Sequence, residues 1–496
     1  MDVMTRLGFG FLLLVFLSSV FLLRSHLTGS EYTAVAYNVE NLFDLDECAL
    51  FDDYRIGSDK PFAYSRYKLL TKLQNIVRVL SAFNEGEGPD IILFQELEGD
   101  FTPESGMGRT AEFLNRYSET SVEAMLTNDW NPQYAGLPAQ AWLLKAMHDA
   151  GLRGYEIACP PAETEQGGIA HVNALFSRFP ITAVKYHFIP RARAIIEATI
   201  EINGHPLYVY VNHWKSGASN PQRESIRVAN ARVLKDLIDR RLKTNPQADI
   251  LIGGDLNSHY NQAALFPDLH ATGINHILGS QGDEDAVRQA DGPALYNLWH
   301  ELPPEQRYSD VWRGKCGSLM HLIVSRGLYD GEGIAYVDNS FDRFARSGLN
   351  ADALGRPFRW SFAGRRGGGY SDHFPVHARF SLAPVQFERP SSLGSVPSSE
   401  FSFSGGSVKD LHLKDGSFLS QVADADLDPY LGVFYQVAGR VASRRPLLIE
   451  VDGIHWPAYV PDPKLYASLR EGQSEKWVVR LGIWKGRRQF IVEGTL

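Results

Sequence analysis

The stretch ADILIGGDLNSHY, Ala248–Tyr260, runs out of an apolar strand directly into Asp255 and Asn257. A strand that is apolar on both faces needs cover on both sides. A carboxylate and a carboxamide at its end are then held rigidly where the loop begins. Taken alone, such a pair also reads as a turn, because Asp and Asn bond their own backbone.

Outward from this stretch the same order recurs. YTAVAYNV reads as a strand, SRYKLLTKLQNIVRVLSAF as a helix with apolar residues at helical spacing, and PDIILFQEL as another strand. HPLYVYVNHW, RESIRVANARVLKDLIDRRL and ADILIGGDLN repeat the pattern, which predicts an α/β layered domain over 31–384. Each strand ends in polar groups: Asn38 and Glu40 in YNVENLFD, Glu96 in ILFQELEG, Asn212, His213 and Lys215 in VNHWKSG, and Asp372 and His373 in GGYSDHFPV.

The 496-residue length points to more than one domain, and the net charge of -9 argues mildly against indiscriminate polyanion binding. The three cysteines, Cys48, Cys159 and Cys316, form no CxxC pair, so neither a disulfide framework nor a thiolate zinc site is expected. Within 1–30, the 17-residue apolar run Leu7–Leu23 lies between Arg6 and Arg24. It reads as a membrane anchor or a secretory signal, with the rest of the chain membrane-anchored outside the cytoplasm, secreted or periplasmic. The Pro, Ser and Gly-rich segment 385–428 reads as a linker. In 429–496, five strand-like runs with a helix between the third and fourth suit a small all-β OB-like barrel. Phe434–Leu496 carries ten Lys and Arg against six Asp and Glu, a net of +4. With Trp456, Tyr459, Trp477 and Trp484 this suggests a base-stacking platform, the alternative being a spacer whose tryptophans are core.

Together, GDLN, SDH and the other strand ends resemble the endonuclease/exonuclease/phosphatase superfamily over 32–382, and YNVENLFD and NHWKSG resemble its exported bacterial nuclease-like branch. The resemblance implies a four-layered α/β sandwich with two packed β-sheets. It further implies metal-dependent hydrolysis of phosphodiester bonds, with nucleic acid as the leading substrate. Mg2+ or Mn2+ is the implied cofactor, with Glu96, Glu40, Asn38 and Asp372 as its site, since hard cations take oxygen ligands. Asp255 would orient or deprotonate water, Asn257 would hold the phosphate or that water, His373 would donate to the developing oxyanion, and His213 would contact phosphate or assist the leaving group. Asn173, Asn212 and Lys215 are the implied substrate contacts, with Arg178, Arg191 and Arg193 as further phosphate candidates. A phosphatase or lipid phosphodiesterase is the rival enzyme. In KCGSLMHLIVSRGL the chain departs from the family, which has an aspartate where Met320 stands to bond the catalytic histidine. That departure leaves two expectations, another group orienting His373 or a binding protein that has lost turnover.

Overall fold

The computed structural model describes residues 31–46, 63–100, 107–161, 170–189, 191–382, 396–423, 426–484 and 487–496. The apolar run Leu7–Leu23 and Cys48 lie outside them. Among the described residues no helix is long and apolar enough to cross a membrane.

In the first sheet, Glu31–Leu42 (β1) runs parallel to Ile91–Glu98 (β2) and antiparallel to Val376–Ser381 (β11), while β2 pairs antiparallel with His171–Ser177 (β3). The second sheet has the order Ile181–His187 (β4), Ile195–Ile202 (β5), His205–His213 (β6), Asp249–Asp255 (β7), Met320–Ser325 (β10), continued by Leu295–Asn297 and Ser280–Gln281. Between β7 and β10 in sequence, Asp310–Trp312 (β8) and Lys315–Gly317 (β9) form a hairpin of their own.

Alternation along β1 sorts the layers. Val35, Tyr37 and Val39 pack under helices Arg66–Leu80 (α1) and Ala139–Asp149 (α2), whereas Ala34 and Ala36 face the second sheet. In α1, Leu69, Leu73, Ile76 and Leu80 make one buried stripe, and the Ser65 hydroxyl caps the helix by accepting from Lys68 N. Leu93 and Leu175 meet Val209, Val211, Leu251 and Leu322 between the sheets. On the far face, Tyr210, Ile250 and Ile252 are covered by Leu234, Leu237 and Ile238 of helix Glu224–Thr244 (α3). Helix, sheet, sheet and helix make the expected four-layered sandwich.

The C-terminal unit closes Phe434–Arg444 (β12), Leu447–Val451 (β13), Ile454–Tyr459 (β14), Ser474–Trp484 (β15) and Arg487–Thr495 (β16) in the order β12-β13-β14-β16-β15, with β15 returning to β12. Helix Pro463–Ser468 falls between the third and fourth strands, as an OB-like barrel requires. The stacking platform is corrected in part. Trp456 and Trp477 lie in the barrel core, Trp456 stacked on Phe490 at 4.2 Å, and only Tyr459 and Trp484 face outward.

The segment read as a linker is more than a spacer. Its Pro397 O accepts from Asn261 Nδ2 (2.7 Å), Phe401 O accepts from Cys316 N (2.9 Å), and Phe403 N donates to Gly314 O (2.9 Å). Further on, Leu419 is fully buried in the barrel core. The sandwich meets the barrel at Glu493, which accepts from Arg356 Nη1 (2.8 Å) and Arg480 Nε (2.7 Å). Burial alone would raise the Glu493 carboxyl, but the two guanidinium groups hold it below 4.5. A carboxyl lowered on folding stabilises the fold above its ordinary range and loses that contribution as pH falls. Glu493→Gln is therefore expected to cost about 3 kcal/mol in denaturant unfolding at neutral pH, and the deficit should shrink below pH 4.5.

Candidate active site

Strand register assembles the site. Parallel pairing sets His213 of β6 opposite Asp255 of β7, and antiparallel pairing sets Met320 of β10 opposite Asp255 from the other side. Gly254 has φ +122°, and a Cβ there would lie 2.1 Å from Asn212 O, so only glycine lets β6 and β7 approach at this point. Asn257 adopts φ 47°, a left-handed conformation asparagine tolerates, and its N–H donates to Asp255 Oδ1 (2.9 Å). In the other sheet Glu96 has φ 66°, and the ladder slips register on both its sides, between Asn38 and Leu42 and between Phe94 and Leu97. Such a bulge turns a side chain out of strand alternation and stores about 1–3 kcal/mol of strain.

The two sheets meet through one amide. Asn38 Nδ2 donates to Glu96 Oε1 (3.0 Å) and to Asp255 Oδ2 (3.1 Å). Asp255 Oδ2 also lies 3.5 Å from His213 Nε2 and 3.7 Å from His373 Nε2. One ligand atom each from Glu96, His213 and Asp255 falls within 4.8 Å of the others. They line a cleft of about 760 Å³ together with Arg193, Asn257, Asp310, Trp312, Arg359, Asp372, His373 and Glu400.

The two histidines hold opposite charge states at neutral pH. Burial, with Arg193, His171 and His373 nearby, lowers His213 well below 6.5 and keeps it neutral. Burial would also lower His373, but Asp372, Asp255, Asp310 and Glu96 overcome it and raise the ring to about 8. Burial raises Asp255 to about 6 against the pull of His373 and the Asn257 N–H.

Several expected site residues do other work. Both Glu40 oxygens are taken, Oε1 by Arg359 Nε (3.2 Å) and Nη2 (2.9 Å) and Oε2 by Trp360 N (2.8 Å), so Glu40 anchors an arginine rather than reaching the cluster. The oxygen of Asn38 accepts from Glu40 N (2.9 Å), which fixes the amide that its nitrogen shares between the two acids. Asn173 Nδ2 ties β3 to Ala194 O (2.9 Å), and Asn212 bonds Tyr210 O and Trp214 Nε1 within its own strand end. Neither lines the cleft, and neither does Lys215, whose N–H donates to Asn230 Oδ1 (3.2 Å). Asp372 sits at the rim, its side chain 32% exposed, with Oδ1 3.7 Å from His373 Nε2 and Oδ2 3.4 Å from Arg359 Nη2. Arg178 pairs with Asp90 (3.3 Å) away from the cleft, whereas Arg193 lines it.

Sequence reading missed Arg359 and Asp310. Arg359 belongs to a loop with no strand pattern and meets Glu40 across 319 residues. Asp310 opens a three-residue strand too short to show alternation. Asp310 is buried, which raises its carboxyl to about 7 against the pull of His373.

No curated protein sequence matches the chain. Among solved structures, truncated Caenorhabditis elegans TDP2 is 15% identical, with 72% of this chain and 99% of that one covered at a TM-score of 0.36. An endonuclease/exonuclease/phosphatase family protein from Leptotrichia buccalis is 13% identical, with 70% and 98% covered at a TM-score of 0.39. Beta toxin from Staphylococcus aureus is 15% identical, with 70% and 99% covered at a TM-score of 0.37. The sequence profile of the Endonuclease/Exonuclease/phosphatase family matches residues 177–381, a span that holds His213, Asp255, Asn257 and His373. Those four side chains line one cleft between two packed sheets, so residues 177–381 are similar to that family at the site as well as along the sequence.

Proposed function

We propose that the chain is a divalent-metal-dependent phosphodiesterase acting on nucleic acid, exported or membrane-tethered through its N-terminal apolar run. The observation that carries the reading is the convergence of Glu96, Asp255 and His213 within 4.8 Å beside a protonated His373. Two carboxylates sharing one amide donor repel each other, and their hard oxygens suit Mg2+ or Mn2+. Glu96 and Asp255, with His213 beside them, would hold that ion. When bound, it supplies neutralisation of the charge that builds on the phosphate during attack.

The chain's own groups divide the remaining work. Asp255 Oδ2, between the two histidines, orients the attacking water. His373 presents Nε2 to the cleft and donates to the developing oxyanion. Asn257 is fixed by its own Nδ2 bond to Trp214 O (3.2 Å), which leaves its oxygen to align the water. Arg193, buried against His171 and the Trp214 carbonyl, presents fixed positive charge to the phosphate. Tyr459 and Trp484 on the barrel are exposed aromatics on which bases can stack, and they favour a polynucleotide.

Glu96→Ala is expected to lower metal-dependent hydrolysis at least about a hundredfold while circular dichroism stays that of the wild type. The panel is plasmid, single-stranded DNA, RNA, sphingomyelin and phosphoinositide, each with Mg2+ or Mn2+. Cleavage confined to the lipids would replace the nuclease reading with a lipid phosphodiesterase, and turnover of none would make the chain a binding protein. The pH profile gives a second check. Asp255 must be ionised and His373 protonated, so kcat/KM should show an acid limb, which an ion held at Asp255 moves to lower pH, and an alkaline limb from His373, whose ring the surrounding acids raise. In His373→Gln the alkaline limb should disappear and the acid limb remain.

A further inference from the structure

Met320 has a fully buried side chain in the apolar layer between the sheets, and it offers His373 no carboxylate. The hairpin before it carries one. Phe374 N donates to Ser309 O (2.6 Å), and Asp310 and His373 form an antiparallel bridge. Residues opposed in such a bridge point to the same face, with Cβ atoms about 4.5–5.5 Å apart. The hairpin is pinned from both sides. Ser309 N donates to Gly317 O (2.8 Å), and the Ser309 hydroxyl accepts from Leu319 N and Met320 N at 3.0 Å each.

Two buried polar atoms at this bridge have no hydrogen-bond partner among the described residues, His373 Nδ1 and Asp310 Oδ1. The other ring nitrogen, Nε2, is turned to Asp255 and Asp372 in the cleft, so Nδ1 is the face that needs a buried acceptor. An unsatisfied buried pair costs several hydrogen bonds' worth of desolvation unless the two atoms serve each other. Room for the carboxylate is made by Gly317, where a Cβ would lie 2.5 Å from Asp310 Oδ1 and 2.7 Å from Oδ2. Catalytic hydrogen bonds are often long in ligand-free sites and tighten in the working complex.

We propose that Asp310 is the positioning residue of His373: its carboxylate accepts the Nδ1 proton and so fixes the tautomer and ring orientation that present Nε2 to the substrate. The carboxylate is thereby supplied from β8, leaving Met320 on β10 to pack the sheet interface. The kinetic consequence rests on the phosphodiesterase reading above, whereas the hydrogen bond itself does not.

The test therefore has two arms on the full chain. In protein labelled with 15N-histidine, without substrate, the wild type should show a low-field Nδ1 proton resonance that is assigned to His373 by its loss in His373→Gln. Asp310→Asn should remove that resonance. Gly317→Ala, which drives the Asp310 carboxylate from its place without changing its charge, should shift or broaden it. In the kinetic arm, with bis-p-nitrophenyl phosphate and Mn2+, Asp310→Asn should lower kcat about 10- to 100-fold with KM unchanged. A His373 resonance undisturbed by either substitution, or absent from the wild type, overturns the assignment whatever the activity. A chain that hydrolyses nothing yet shows the expected spectra retains the Asp310 assignment and refutes the phosphodiesterase reading alone.

Discussion

The amide of Asn38 is the joint on which the site depends. Its two N–H groups reach Glu96 at 3.0 Å and Asp255 at 3.1 Å, and those carboxylates come from different sheets. Their separation is thus set by one rigid side chain on β1, and the main-chain carbonyl of Asn38 accepts from the Ser371 hydroxyl at 2.6 Å. Ser371 also accepts from His373 N (3.1 Å), so the same joint fixes the backbone that carries His373. A change in sheet-to-sheet spacing would be felt at once by both acids. The alanines at 34 and 36, small residues packed between the sheets just before Asn38, are part of the site's geometry in this sense.

How much of this was legible in the sequence follows from the range of each interaction. Asp255, Asn257, His213 and His373 follow apolar runs, and strand register alone brings His213 opposite Asp255. The same signal cannot say which way a side chain turns. Glu40, Asn173 and Asn212 also stand near strand ends, yet each spends its polar atoms on neighbouring chain. Glu96 escapes strand alternation because its backbone is left-handed, which no periodicity announces. In the barrel, period-two parity does separate the aromatics. Trp456 and Tyr459 are an odd number of residues apart on β14, so they must face opposite ways, and they do. Composition had counted them together.

Arg359 shows why long-range pairing resists sequence reading and why it matters here. Its fork on Glu40 looks like an ordinary ion pair, but the same guanidinium reaches Asp372 at 3.4 Å on the rim of the cleft. Behind it, Lys72 is fully buried, donates to Tyr370 O (2.7 Å) and lies over the Trp360 ring at 4.7 Å. Burial lowers Lys72 to about 7, with Glu40, Asp372 and Glu96 pulling the other way. An ion pair whose arginine is 55% exposed is weak evidence of stability by itself, since solvent screens it. Its use in this position is to keep an arginine aimed along the rim.

Charge then selects what can enter. Glu96, Asp255, Asp310, Asp372 and Glu400 line one cleft together with Arg193, Arg223, Arg313, Lys315, Arg359 and His373. Glu96 and Asp255 lie together with His213, whereas Asp372 stands at the rim beside Arg359. Such a mixture of signs in one cleft would attract an anion to its cations and repel it from its acids unless a bound cation offset them. An uncharged ester would gain nothing from this arrangement. Trp312, 57% exposed, offers a flat apolar face in the same cleft, which a base can cover and an inorganic phosphate cannot.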